Sequence, residues 1–194
     1  GSSSVYGANP ELPKHEGLAT RPISPYAASK LAAEASALSY QHAFGLPTLS
    51  FRFFNVFGPL QPAGHAYAAV IPAFVDAALR GRPVPLDGDG SQSRDFTFVD
   101  TVTSVITDAV SRRVTDPEPV NLAYGTRTDL RTVIGLLGEL LGDDLELEPR
   151  PPRAGDVPHS QADSSRVRRL FPDIEPVAVE IGLKATVDWM RTVD

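Results

Sequence analysis

Hydrophobic and polar positions follow two rhythms along this chain, and the changes of rhythm mark its elements. GSSSVYG, residues 1–7, reads as the end of a short strand entering a turn. Residues 8–23 are rich in proline and charge and read as a loop. At Ser24 the spacing becomes helical. Ser24 is a capping residue, Pro25 suits the first helical position, and LAAEASALSYQHAF carries the helix to a stop at Gly45. LPTLSFRFF then predicts a buried strand of β-branched and aromatic residues. NVFGPLQPAGHAYAAV, broken by proline and glycine, reads as a long loop, and PAFVDAALR as a helix. LDGDGSQSRDFTFV is a turn feeding a strand, TVTSVITDAVSRR a helix, PVNLAYG a short strand and TDLRTVIGLLGELLG a helix. LELEPRPPRAGDVPH reads as a strand and loop, with ADSSRVRRLF and VAVEIGLKATVDWMRTV as closing helices.

Strand and helix alternate through the first half, the pattern of a parallel sheet with crossover helices. The later elements predict a smaller α/β lobe threaded in and out of that sheet. No internal repeat or low-complexity tail interrupts the pattern.

Composition narrows the function classes. A 42% hydrophobic and 22% charged balance over 194 residues is that of a globular domain with a sizeable core. The net charge of −6 argues against a nucleic-acid partner, which needs a basic stripe. There is no cysteine, so thiol catalysis and cysteine-ligated metal are excluded within these residues, and no metal is expected. No apolar run approaches the roughly 18 residues that cross a bilayer. No signal-peptide pattern opens the chain, so no membrane partner and a cytoplasmic setting are expected.

The candidate chemistry begins with SPYAASK, residues 24–30. Only three lysines occur in the chain, and Lys30 lies one helical turn after Tyr26. At i and i+4 the two share a face, and an ammonium there favours the phenolate over the phenol. A tyrosine tuned in this way serves as a general base near neutral pH. The plainer alternative is a packed tyrosine beside a solvated lysine.

What surrounds the pair decides between them. SSSVYG, SPYAASKLAAE, FRFFNVFGP, GDGSQSRDFTFVD and RAGDVPHSQAD, in that order and spacing, resemble the extended short-chain dehydrogenase/reductases of the NAD-dependent epimerase/dehydratase family. Within it the likeness is greatest to the UDP-glucose and UDP-N-acetylglucosamine 4-epimerases, and it covers essentially the whole chain. The resemblance implies the second half of a Rossmann-type parallel sheet with a smaller C-terminal α/β substrate lobe. Residues 1–58 and 98–126 would belong to the nucleotide-binding domain, and residues 59–97 and 127–194 to the substrate lobe.

The family's roles carry over by position. Ser2, four residues before Tyr6, matches the serine that hydrogen-bonds the reacting hydroxyl. Tyr26 matches the catalytic base, and Lys30 the residue that holds the nicotinamide ribose and lowers the tyrosine pKa. Phe54 matches a nicotinamide contact, with a core aromatic as the alternative. Asn55 matches the asparagine that meets the diphosphate, with ordinary turn chemistry as the alternative. Arg94 and Arg153 match two arginines that clamp the diphosphate, a task suited to guanidinium forks. The alternative is ion pairing with Asp95 and Asp156. Asp156 matches the residue that holds the ribose hydroxyls, and Val70 and Leu86 the positions that wrap the uracil. NAD is the implied cofactor and a UDP-sugar the implied partner. A homodimer through the alanine-rich helix after Tyr26 fits the family, although alanine is also simply a good helix former.

Three positions bear on the substrate. Ser3 and Ser4 stand where the dehydratases carry Asp-Glu, and neither ionises near neutral pH, which disfavours dehydration and decarboxylation. The loop after Asn55 has no arginine for a C6 carboxylate; His65 is its only candidate cation, which favours a neutral sugar. Ser160, at the position that limits pocket size, is small enough to admit an N-acetyl group, or is merely a loop serine. The family's glycine-rich dinucleotide turn is not in these residues, since GDG at 88–90 precedes a strand. The expectation is the C-terminal portion of a longer epimerase, with a binding-only module as the alternative.

Overall fold

The computed structural model describes residues 1–63, 69–152 and 157–193. It is an α/β fold of short, mostly parallel strand pairs. β1 (Phe51–Phe53) runs parallel to β6 (Val120–Leu122), with Phe51 opposite Val120. β2 (Asn55–Phe57) runs parallel to β5 (Phe96–Phe98), with Asn55 opposite Phe96. β3 (Val84–Asp87) lies parallel to β8 (Leu147–Arg150), and β4 (Ser93–Arg94) antiparallel to β7 (Thr128–Asp129). The expected parallel sheet is present, and the expected single strand up to Phe54 is forked. Its first half pairs with β6 and its second half, read in sequence as loop, pairs with β5. Phe54 and Asn55 stand at that fork.

Ser2 forms a single parallel bridge to Phe53, and residues Ser3–Tyr6 then coil into a short 3-10 turn. Gly7 ends the turn at φ 43°, where an added Cβ would lie 1.9 Å from the Arg21 carbonyl oxygen, so only glycine fits.

Among the described residues six α-helices cover the strands. α1 (Pro25–Phe44) begins as its sequence predicts: the Ser24 hydroxyl accepts from the Ala27 amide at 3.1 Å, and left-handed Gly45 ends it. The others are α2 (Val70–Leu79), α3 (Val99–Arg112), α4 (Leu130–Leu141), α5 (Ser165–Leu170) and α6 (Val179–Val193). None of the described helices is long and apolar enough to cross a membrane.

The amphipathic helices enclose two main cores. One gathers Phe57, Phe74, Phe96, Phe98, Leu137 and Leu183 between α2, α4, α6 and the β2–β5 pair. The other packs Val105 of α3 and Val167 of α5 against Val120 and Leu122 of β6. A third, smaller cluster joins Val5, Tyr6 and Phe54 beneath the Ser2 turn. α1 differs from the rest. Of its 20 residues only Ala27 and Glu34 are buried, with Leu31 packed against the third cluster.

Candidate active site

The fork between β1 and β2 opens two adjoining clefts. The first, about 430 Å³, is lined by the serines of the opening turn together with Lys14, Ser24, His159 and Ser160. The second, about 610 Å³, runs towards α2 and β3 and includes Val70, Phe74, Pro85, Asp87 and Arg150. Phe54, Asn55 and Arg94 line both. Each volume is typical of a small-molecule site.

The turn that carries Ser2 fixes its hydroxyl. Ser2 Oγ accepts from the Ser4 amide at 3.2 Å and from the Ser4 hydroxyl at 2.9 Å. A hydroxyl has two lone pairs and one proton, so the proton is what Ser2 retains to offer a ligand. Beneath it, the Tyr6 hydroxyl donates to Asn121 Oδ1 at 2.7 Å and accepts from Arg52 at 2.9 Å. Arg52 also grips Glu34 of α1 with two hydrogen bonds, at 2.7 and 2.8 Å, and both side chains are only 4% exposed. Burial opposes the Arg52 charge, but the Glu34 and Tyr6 contacts outweigh it and raise the guanidinium above its ordinary range. One buried network thus ties the Ser2 turn, the strand under it and the helix that bears Tyr26.

Tyr26 stands in the first turn of α1, 57% exposed, and Lys30 Nζ lies 5.4 Å from its ring centroid. The i,i+4 spacing therefore does join the pair, with the ammonium over the ring. Ser24, two residues before Tyr26, lines the first cleft, and Tyr26 itself stands on the open side of α1.

The other expected residues divide clearly. Asn55 donates from its backbone to the Asp95 carbonyl at 3.2 Å, as strand rather than turn backbone. Arg94 reaches across to the Ser93 and Pro158 carbonyls at 2.9 and 3.1 Å. Its neighbour Asp95 faces the other way, accepting from Thr126, Gly125 and Ala162 at 3.0 Å each, so the alternative Arg94–Asp95 pair does not form. Burial pushes the Asp95 carboxyl up to about 6, against the pull of those bonds. Ser160 joins the first cleft, held by its amide to the Ser93 carbonyl at 3.0 Å. Val70 joins the second. Leu86 is placed apart: in β3 it is Pro85 and Asp87 that line the second cleft, while Leu86 packs into the hydrophobic core. Arg153, Asp156 and His65 lie outside the described residues.

Sequence reasoning passed over Lys14, which lies in the proline-rich stretch read as a loop, and His159, whose Nδ1 is 2.9 Å from the Ser93 hydroxyl. Neither carries a spacing signal, because each reaches the cleft through long-range pairing. Among the described residues no group of His, Asp and Glu side chains is arranged to hold a metal ion.

A parallel α/β sheet with its cleft at strand ends, flanked by a helix that opens on a tyrosine–lysine pair, defines a Rossmann-type nucleotide-binding fold. Residues 1–123 match the NAD dependent epimerase/dehydratase family, and the chain belongs to it. It is 34% identical over 188 residues to the UDP-glucose 4-epimerase of Mycolicibacterium smegmatis, covering 97% of this chain and 59% of that protein. A probable UDP-glucuronate 4-epimerase of Rhizobium meliloti is also 34% identical, with 97% and 60% covered. Among solved structures, the UDP-N-acetylglucosamine 4-epimerase of Methanobrevibacter ruminantium superposes with a TM-score of 0.92 at 34% identity, covering all of this chain and 62% of that one. The chain therefore spans about 60% of the length of the relatives it matches.

Proposed function

We propose that this chain supplies the substrate-binding and acid–base part of an NAD-dependent epimerase that inverts C4 of a UDP-hexose or UDP-N-acetylhexosamine through a 4-keto intermediate. The observation that supports it best is the convergence of Ser2, Phe54, Asn55, Arg94 and Ser160 on one cleft beside the helix that opens with Tyr26 and Lys30.

Bound here, NAD would supply the hydride-transfer chemistry at C4. On this chain Tyr26, Lys30 and Phe54 are the groups suited to its nicotinamide end. The tyrosine–lysine pair stands on an open helix face where a ligand can reach it, and Phe54 presents an aromatic surface to both clefts. Tyr26 takes the proton of the C4 hydroxyl, helped by the Lys30 ammonium. The Ser2 proton orients the same oxygen. Arg94 and Asn55, shared by the two clefts, hold the diphosphate between sugar and nucleoside, and Val70 borders the nucleoside side. The protein's part is to position the sugar and move one proton.

The competing reading is 4-epimerisation of UDP-glucuronate, favoured by the equal identity to the Rhizobium meliloti relative. One assay separates them. The complete polypeptide, with NAD confirmed bound, is offered UDP-glucose, UDP-N-acetylglucosamine and UDP-glucuronate, and anomeric proton signals are followed by NMR. C4-inverted signals from one of the first two support the proposal, and signals from the third alone support its rival. No inversion of any overturns both and leaves a binding module.

A further inference from the structure

Lys14 is a cation that neither the family roles nor the proposed chemistry uses. It is 5% exposed and lines the first cleft with Ser2, Ser24, Asn55 and Ser160. Its backbone is held from both sides: the amide donates to the Gln161 carbonyl at 2.8 Å, and the carbonyl accepts from Asp163 at 2.8 Å and from Asn121 Nδ2 at 2.7 Å. This pairing sets Lys14 opposite Ala162, two residues beyond Ser160. The side chain therefore departs from a fixed point at the cleft wall, unlike a surface lysine.

An ammonium carries three donors. The acceptor that Nζ has among the described residues is the Asn9 carbonyl, and no described carboxylate forms an ion pair with it. Burial pushes Lys14 below the ordinary lysine range, and Glu11 offsets this only through space. A buried charge with donor capacity to spare is costly until a further acceptor arrives.

We propose that Lys14 is a specificity-determining residue, whose ammonium donates to a carbonyl-type oxygen carried by the hexose of a bound sugar nucleotide beside Ser160. This rests on the reading of the cleft as a nucleotide-sugar site. The sugar end is indicated because Lys14 lines the cleft of Ser2 and Ser160, not the one that runs to α2 and β3. A carbonyl-type oxygen is indicated because Ser2 and Ser24 already suit ring hydroxyls, whereas an ammonium, which can only donate, is best matched by a group that can only accept. An N-acyl amide and a C6 carboxylate share that chemistry; plain glucose has neither. The loop after Asn55 carries no arginine, but Lys14 brings a cation to the cleft from another part of the chain.

The test is calorimetric titration of the complete polypeptide and its Lys14→Met variant with UDP-glucose, UDP-N-acetylglucosamine and UDP-glucuronate. One charge-assisted hydrogen bond predicts a roughly 10- to 100-fold loss of affinity for a carbonyl-bearing sugar, with UDP-glucose changed by less than about threefold. Loss confined to UDP-N-acetylglucosamine names the acyl oxygen, and loss confined to UDP-glucuronate names the carboxylate. Equal loss for all three sugars, or none, overturns the proposal. Lys14→Gln keeps a donor for the Asn9 carbonyl without the charge, and the comparison is made in it if the methionine variant does not fold. Binding is read rather than turnover, so sugars that bind without C4 inversion would overturn the epimerase reading and leave this one standing. A wild-type protein that binds none of them overturns both.

Discussion

Replacing Arg52 by methionine tests the network that joins the Ser2 turn to α1. In the folded protein the guanidinium makes two hydrogen bonds to Glu34 and one to the Tyr6 hydroxyl, with both charged side chains 4% exposed. The variant leaves the Glu34 carboxylate buried without its partner, a loss of about 3–5 kcal/mol for a broken buried pair. At roughly 2–4 °C per kcal/mol for a chain of this size, the melting temperature falls by about 6–20 °C. An apolar pair behaves differently, because no uncompensated charge remains. Arg52→Met combined with Glu34→Leu should recover at least half of the loss, since replacing both partners of a buried pair is often close to neutral. Thermal and urea unfolding of the wild type, both single variants and the double variant provide the cycle. A single-variant loss under about 1 kcal/mol, as at an exposed pair, would refute the reasoning. So would a double variant no more stable than Arg52→Met. Because α1 is otherwise little buried, the same variants should also lower turnover by the complete enzyme more than they weaken UDP-sugar binding.

Tyr26→Phe removes the proposed base and should lower kcat by roughly 10²–10⁴-fold while calorimetric binding of the UDP-sugar is retained; unchanged turnover would exclude Tyr26 from the chemistry. Asp95 makes stability depend on pH. Its folded pKa of about 6 lies above the ordinary 3.8, so its contribution is complete below about pH 4 and is lost as pH rises through 6, by about 3 kcal/mol in all. Melts from pH 4 to 7 should show this decline in the wild type and not in Asp95→Asn; parallel curves would refute it. At Gly182 of α6 an added Cβ would lie 2.6 Å from the Phe98 ring and 2.8 Å from Phe57, so Gly182→Ala should cost about 1–3 kcal/mol in denaturant unfolding. A neutral effect there would mean that α6 shifts freely over the β2–β5 pair.

Local signals in the chain were sufficient for its helices. Ser24, Pro25 and Gly45 bound α1 through contacts within a few residues, and the apolar stripes of α3, α4 and α6 need only one-dimensional periodicity to be seen. The tyrosine–lysine pair was legible for the same reason, since one helical turn sets its spacing. The ordered motifs established the family because five of them recur in sequence. Tertiary structure decided what depends on pairing between distant segments. The fork at Phe54 exists because β6 and β5, about 25 residues apart, take successive halves of one strand, and no local pattern announces a change of partner. That β3 turns Pro85 and Asp87 rather than Leu86 to the cleft follows from which face of the strand the core covers. Lys14 sits in a stretch whose proline and charge mark it as a loop, and it enters the cleft only because residues 161–163 pair with it. Local sequence determines a residue's conformation; which polar group is buried beside which depends on closing loops that run from Glu34–Arg52 to the far longer Tyr6–Asn121 and Lys14–Asn121, and only the folded chain sums those contacts.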